Sequence, residues 1–481
     1  MNNGNGNTTS DELAWPPGFA GDIARYLYHA APRPNREAAI AGTLGLLAGI
    51  CGRGYTVSAP PTGLNAYVAL VMWSAIGKEA IHRISYLHKC AYDLIAYTLD
   101  DVERQMARGM VHPSKAASEP GLKRQLSKTP GFVNTLSELG RQIEEMAKAN
   151  TLSPHYQLKS MMLELFDKSG PHSVIGGINY SDATQNIDPI SGPAYSVLGE
   201  TTPETFYESL TSQSAADGFL SRWTVIERKS KLRPPANDNV VTTPSRELLI
   251  PLANMIRAAV KLSGYNHWQA VPCGIAADVM LKHFRSECDD EINKTEDHLQ
   301  RAIWNRSHLK VYRTAGLFAV ADYFGGYECE IEIAAEHVEW AIDLERQNVA
   351  AIATRMASGD VGNDDEARKS KVLAIIEKHI REPSEKWKVL AHAGLIADQH
   401  LQNATCKVAA FAGHKLGANK SLKETIRALI DAGMLREATK QEVLQKVDRT
   451  CGKCYWMTAH PAWEQVLKAV VPPWLKMQPA E

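Results

Sequence analysis

From Asn65 to Trp73 the chain reads Asn-Ala-Tyr-Val-Ala-Leu-Val-Met-Trp, apolar at almost every position and rich in β-branched and aromatic side chains. A half-solvated strand alternates apolar and polar residues, so an unbroken run predicts a strand buried on both faces, as in the middle of a parallel sheet. The run passes through Ser74, Ala75 and Ile76 to Gly77-Lys78-Glu79, and Ala80–Asp93 then has helical spacing. Strand, short loop and helix is the setting of a phosphate-binding loop, whose backbone N–H groups surround phosphate oxygens while a lysine reaches the β- and γ-phosphates. Of the pattern GxxxxGK[ST], the window keeps Gly77 and Lys78; Met72 replaces the first glycine and Glu79 the Ser/Thr. The same pair also suits a plain surface Gly-Lys turn in an unrelated α/β domain.

Three further extended runs follow: Gly131–Leu136 ending at Ser137-Glu138, Ala194–Leu198 ending at Gly199-Glu-Thr-Thr-Pro203, and Trp223–Glu227 preceded by Gly218-Phe-Leu-Ser-Arg222. Helical segments at 156–167 and 204–212 lie between them, which predicts parallel strands with right-handed crossovers and a ligand site at the strands' carboxyl ends. Glu138 stands where a carboxylate would activate an attacking water, and Thr201 and Thr202 where a hydroxyl would sense a γ-phosphate. Glu138 equally suits a helix start, and Thr201-Thr202 a helix N-cap before Pro203. Arg222 is a candidate arginine finger for a neighbouring subunit, or a surface ion pair.

The chain has 481 residues, 44% hydrophobic and 22% charged, which predicts about three domains at roughly 150 residues each. No apolar run reaches the ~18 residues of a membrane span, since Gly42, Gly45 and Gly49 break Ala38–Ile50. The polar opening, Met1 to Glu12, does not read as a secretory signal, and the eight scattered cysteines suit reduced thiols, so a cytoplasmic protein without membrane attachment is expected. The expected layout is a disordered leader (1–14), an N-terminal helical segment (15–60), a nucleotide-binding core (61–235), a helical domain (245–356), a linker (357–366), a basic C-terminal domain (367–465) and a tail (466–481).

The net charge of −1 conceals an asymmetry: residues 367–481 carry 19 Lys/Arg against 11 Asp/Glu, whereas residues 1–366 carry 34 against 43. A basic terminal segment predicts an anionic partner. Helix Glu366–Ile380, a capping-box signature at Ser421-Leu-Lys-Glu424, and extended runs at Met434–Glu437 and Cys454–Thr458 read as a winged helix-turn-helix. Lys420, Lys423 and Arg427 share a stripe offset from the apolar face, and Lys446, Arg449 and Lys453 lie along the expected wing, all candidate DNA contacts; solvated faces carry the same pattern. Cys451-Gly-Lys-Cys454 is either half of a zinc site, with His460 or Cys406, or a hairpin turn.

The succession Pro16-Pro-Gly18, Ala48-Gly-Ile-Cys-Gly-Arg53, Thr62-Gly-Leu-Asn65, Gly77-Lys-Glu79, Ser137-Glu-Leu-Gly140, Val197-Leu-Gly-Glu-Thr-Thr-Pro-Glu-Thr-Phe-Tyr207 and Asp217-Gly-Phe-Leu-Ser-Arg222 resembles P-loop proteins of phages, plasmids and integrated islands that look like replicative helicases or initiator ATPases. The resemblance covers about residues 14 to 350. It implies an α/β fold with a RecA/AAA-like P-loop NTPase core on a parallel sheet, a helical N-terminal collar and a helical lid, joined here to the C-terminal winged helix. It further implies ATP with Mg2+ as cofactors, DNA as partner, and a ring-shaped homo-oligomer, six-membered in one form. Residues 74–79 and Thr201 would hold nucleotide, Glu138, Thr202 and Arg222 would act in hydrolysis, and Arg306 or Arg313 would be a second sensor. The competing expectations are a non-hydrolysing DNA-binding scaffold on the same fold and a regulatory or defence ATPase acting on a protein.

Overall fold

A computed structural model describes residues 13–112, 115–149, 152–210, 217–296, 298–357, 365–406, 408–412, 414, 417–447 and 452–458. Residues 1–12 of the expected leader, the tail and most of the linker, together with Arg449, Cys451 and His460, lie outside them, whereas Leu13, expected in the disordered leader, is buried in the core of the first unit. The chain forms two compact units that part at Ile352 and Ala353, with the short segment from Tyr207 counted in the second.

The first unit is built on five parallel strands: β1 (Tyr67–Val71), β2 (Val111–His112), β3 (Gly131–Leu136), β4 (Ala194–Thr201) and β5 (Trp223–Glu227). Their spatial order is β2-β3-β4-β1-β5, an arrangement compatible with a Rossmann- or RecA-like core. Every residue of β1 is buried, as its unbroken apolar run requires. The register pairs Val71 with both Thr201 and Glu227, and Leu136 with Gly199, so the carboxyl ends of β1, β3, β4 and β5 form one edge.

Of two N-terminal helices, α1 (Gly18–His29) and α2 (Arg36–Cys51), α2 packs against the sheet and α1 packs on α2. From Ala38 to Cys51 every residue of α2 is buried, which only a helix apolar on all sides tolerates. The glycines that break its apolar run permit this close approach: a Cβ at Gly45 would lie 2.8 Å from Leu198 of β4, and one at Gly49 2.6 Å from Val133 of β3. The segment 246–352 is almost wholly helical, and its apolar side chains join those of α1, α2 and the sheet in one continuous core.

Within this segment, α3 (Ser307–Gly325) and α4 (Ala335–Ala357) also close the sheet's outer edge. Among the described residues β5 has a strand on one side only, and an open edge invites pairing with another chain. Asn348 Oδ1 accepts from Val225 N (2.8 Å) and Lys310 Nζ donates to Trp223 O (3.0 Å), so side chains replace the missing ladder. Lys310 also pairs with buried Glu345 at 2.8 Å, and Ser307 and Asn348 donate to the same carboxylate.

The second unit places helix Asp365–Arg381 before β6 (Leu395–Ala397), two short helices, α5 (Ala418–Asp431), β7 (Leu435–Ala438), helix Lys440–Val447 and β8 (Cys454–Met457). β6, β8 and β7 form an antiparallel sheet in that order. Its apolar core joins Val372 and Ile376 to Leu401, Leu422, Ile426 and Leu429. The capping box expected at Ser421 is not formed: α5 begins at Ala418 after Gly417 in the left-handed region, and buried Ser421 Oγ donates back to Gly417 O (3.1 Å). Ser421 lies within the first turn, where a hydroxyl satisfies a carbonyl of the preceding turn instead of capping.

Candidate functional site

The phosphate-loop candidate leaves β1 at the carboxyl edge. Met72 N donates to Thr201 O (3.0 Å), so the loop begins clamped to the last residue of β4. Met72 and Ile76 are buried, Ser74 and Ala75 exposed, and the Trp73 ring lies 3.7 Å from Lys231 Nζ. Ala75 (φ 63°) and Gly77 (φ 97°) both take left-handed backbone, a strain of about 1–3 kcal/mol for a non-glycine residue. Gly77 is obligatory on a second count, since a Cβ there would lie 2.3 Å from the carbonyl of Arg33.

Lys78 opens a short 3-10 turn, Lys78–His82, that runs into helix Arg83–Ile95, so the strand-loop-helix context holds with a tightened first turn. The side chain of Glu79 lies outside the described residues. Burial pulls the Lys78 amine below its usual lysine pKa, while the nearby Glu200 carboxylate pushes it back up. Glu200 is the penultimate residue of β4. Its Oε1 lies 3.3 Å from His82 Nε2, and its Oε2 is buried without a hydrogen-bond partner among the described residues. Lys78 and His82, four residues apart, thus bracket a carboxylate that is absent from the sequence-predicted site. Its only sequence signal is its place beside Thr201 and Thr202.

Glu138 and Thr201-Thr202 reach the same edge. Glu138 has φ 57° and ψ 42°, precedes helix Leu139–Lys148 without capping it, and pairs with Arg141 (3.0 Å) with both side chains 70% exposed. Thr201 is buried; Thr202 Oγ1 accepts from Thr205 N (3.4 Å) and meets Thr205 Oγ1 at 2.9 Å, the N-cap geometry of helix Pro203–Ser209. Beside the loop, Arg33 NH1 donates to Pro234 O (2.9 Å), and a cavity of about 420 Å³ opens between Tyr28, Pro34, Glu37, Arg228 and Pro234-Pro235.

The arginines do not join this edge. Arg222 precedes β5, at the sheet's amino edge, where its NH2 meets Asp167 Oδ2 at 2.6 Å and its NH1 donates to Gly218 O (2.6 Å). Arg306 takes both oxygens of the same carboxylate, at 3.0 and 2.9 Å. Burial alone would raise the Asp167 pKa, but hydrogen bonding to Arg306 and the charge of Arg222 outweigh it and hold it low. Arg313 is fully buried and donates to Asn65 O, Phe166 O and Thr62 Oγ1, with its pKa lowered to about 10 by desolvation. Both sensor candidates are therefore committed at the edge opposite Lys78, bound to groups of their own chain.

In the second unit, Lys420, Lys423 and Arg427 are exposed on α5 opposite the buried stripe Leu422, Ile426 and Leu429. Lys446 lies on helix Lys440–Val447 rather than on a strand of the wing, and Lys453 pairs with Glu437 (2.9 Å) just before β8. Cys454 is buried within the sheet, its thiol against Gly452 O. Among the described residues the one group of side chains gathered like metal ligands is Asp322, Glu336 and His337. There Asp322 Oδ1 accepts from Phe19 N (2.7 Å), Asp322 Oδ2 meets His337 Nε2 at 3.0 Å, and His337 Nδ1 accepts from Ala334 N (3.1 Å). Those atoms are spent on joining α1 to α3 and α4, with Asp322 capping a helix that Pro17 cannot cap.

A scan against protein-family models finds no match, and a search of curated proteins finds none either.

Proposed function

We propose that this chain is an ATP-dependent motor of mobile-element DNA replication, a helicase or origin-opening initiator, that grips DNA through its C-terminal unit. One observation carries the reading: the parallel sheet brings the strained Gly77-Lys78 loop, Glu138, Glu200 and Thr201-Thr202 to a single carboxyl edge, where α/β sheets bind ligands. Lys78 and the first turn after the loop would receive the β- and γ-phosphates, and the cavity beside Pro34 and Pro234 would take the nucleoside. Mg2+ fits this edge, because the buried, unpartnered Glu200 Oε2 is a hard oxygen donor beside the lysine. Mg2+ would supply charge neutralisation at the transferring phosphoryl group.

Glu138 is the proposed base for water; its exposed pair with Arg141 is weak enough to exchange for a ligand. Thr202 would sense the γ-phosphate from its capping position. Arg222 can serve a neighbouring subunit only by leaving Asp167, so ring assembly would have to open that pair. In the second unit, the order helix, strand, helices, strand, short helix, strand, with the last strand central, supports a winged helix with α5 as its recognition helix and helix Lys440–Val447 within the wing.

The test is DNA-stimulated ATP hydrolysis by the purified chain beside Lys78→Ala and Glu138→Gln. Loss of binding in the first and of turnover alone in the second is expected, the second by about 100-fold or more. Nucleotide binding without hydrolysis by the wild type would favour the scaffold reading, to which the buried Ile76 and the Arg141-paired Glu138 lend support. Absence of binding would end the motor reading.

A further inference from the structure

We infer that Glu200 is the carboxylate that receives the divalent cation accompanying a nucleotide at the Lys78 loop. This rests on the nucleotide-binding reading above and adds which residue of this chain meets the metal.

Three observations converge. The register pairing Leu136 with Gly199 sets Glu200 level with Ser137, so the neutral tip of β3 is matched by an acid on the strand next to β1. Ser137 and Glu138 are exposed there, whereas the Glu200 side chain is only 16% exposed. Its Oε1 is oriented by His82 while Oε2 is buried and unpaired, and leaving a buried acceptor unsatisfied costs about 1–3 kcal/mol or more for a charged group. Such a cost persists where a ligand removes it.

The neighbours make the site conditional. The Lys78 charge beside the carboxylate disfavours a free cation, and His82 already occupies Oε1. Phosphate oxygens at Lys78 offset that positive charge, and a cation can then bridge them to Oε2; Mg2+ commonly binds through one or two carboxylates plus substrate phosphates and waters. Conversely, without a cation Glu200 repels the phosphates. Nucleotide and metal should therefore bind cooperatively, and Glu200 is the residue that couples them.

The experiment is equilibrium binding of a fluorescent, non-hydrolysable ATP analogue, with excess Mg2+ and with EDTA, to the full chain and to Glu200→Gln and Glu200→Asp. Wild type should bind at least about tenfold more tightly with Mg2+, a coupling of about 1.4 kcal/mol. Glu200→Gln should bind the metal-free analogue at least as well as wild type and lose most of the Mg2+ enhancement; Glu200→Asp, which keeps the charge on a shorter arm, should recover part of it. An undiminished Mg2+ enhancement in a folded Glu200→Gln overturns the assignment while leaving the nucleotide reading intact. Failure of wild type to bind the analogue with or without metal overturns both.

Discussion

Replacing Lys310 with Met should cost about 3–5 kcal/mol of stability in the first unit, the usual penalty for removing one member of a buried ion pair. The magnitude follows from what is left behind. Lys310 and Glu345 are 5% and 2% exposed, and Lys310 supplies the counter-charge to that carboxylate. Without it, Glu345 keeps two neutral donors, Ser307 Oγ (2.6 Å) and Asn348 Nδ2 (3.1 Å), but not the cation that offsets its burial. Trp223 O on the open edge of β5 also loses its donor. For a unit this large, the loss corresponds to a fall of roughly 4–7 °C in melting temperature, readable by calorimetry. The double variant Lys310→Met/Glu345→Gln removes both charges yet keeps an acceptor for Ser307 and Asn348. Its residual cost is the unpaired carbonyl, about 1–3 kcal/mol. The double variant should therefore be more stable than Lys310→Met alone. Additive losses, or a Lys310→Met cost below about 1 kcal/mol, would refute a closely coupled buried pair.

Acid should weaken the first unit through His88, whose burial holds its pKa down at about 4. The folded state binds that proton less readily than the unfolded one, so the contribution is intact above pH ~6.5 and is lost as pH falls toward about 4, by up to roughly 3 kcal/mol; His88→Gln should flatten this limb of a stability–pH profile, and an unchanged limb would exclude His88 as its source. Charge reversal at Lys420, Lys423 and Arg427 should weaken duplex binding and reduce the salt slope by about 0.9 for each phosphate no longer neutralised; unaltered affinity and slope in filter binding would remove α5 from the interface. At Glu138, whose φ is 57°, Gly should be more stable than Ala by about 1 kcal/mol in chemical denaturation, with ATP turnover abolished in both; equal stabilities would mean that the left-handed conformation is not held.

Much of the first unit is legible in the sequence because its strands are buried on both faces and announce themselves as apolar runs. Gly131–Leu136 and Trp223–Glu227 match their sequence bounds, and β1 falls within its expected run. β2 has two residues, too few to carry a period, and its existence depends on pairing with β3. The helices Asp101–Gly109 and Glu119–Lys128 on either side of it are polar segments, in which few apolar positions mark a buried face. Glu200 is hidden by register. β4 runs three residues past the apolar stretch ending at Leu198, so a residue that reads as loop is a strand residue, and its burial depends on what packs over that face. The pairing of Asp167 with Arg222 and Arg306 spans 55 and 139 residues, a separation at which no local pattern exists.

The two edges of the sheet differ in a way that bears on where chemistry is located. At the amino edge, Arg222 and Arg306 share Asp167, and Arg313 spends its charge on carbonyls and hydroxyls, so those cations are anchored within the chain. At the carboxyl edge the local rules are broken: Ala75 and Glu138 hold left-handed backbone, Glu200 keeps an unpaired buried oxygen, and Lys78 sits half-desolvated. Strain and unsatisfied polarity persist only where the surrounding structure enforces them, and they cluster where a ligand relieves them. A surface Gly-Lys turn would need none of these features, because an exposed turn can relax its dihedrals and hydrate its lysine. Unpaired buried polar atoms occur at both edges, Arg222 Nε and Arg313 Nε at the amino one, so it is the left-handed backbone of Ala75 and Glu138 together with the Lys78–Glu200 juxtaposition, more than the two matching residues of the motif, that supports Gly77-Lys78 as a binding loop.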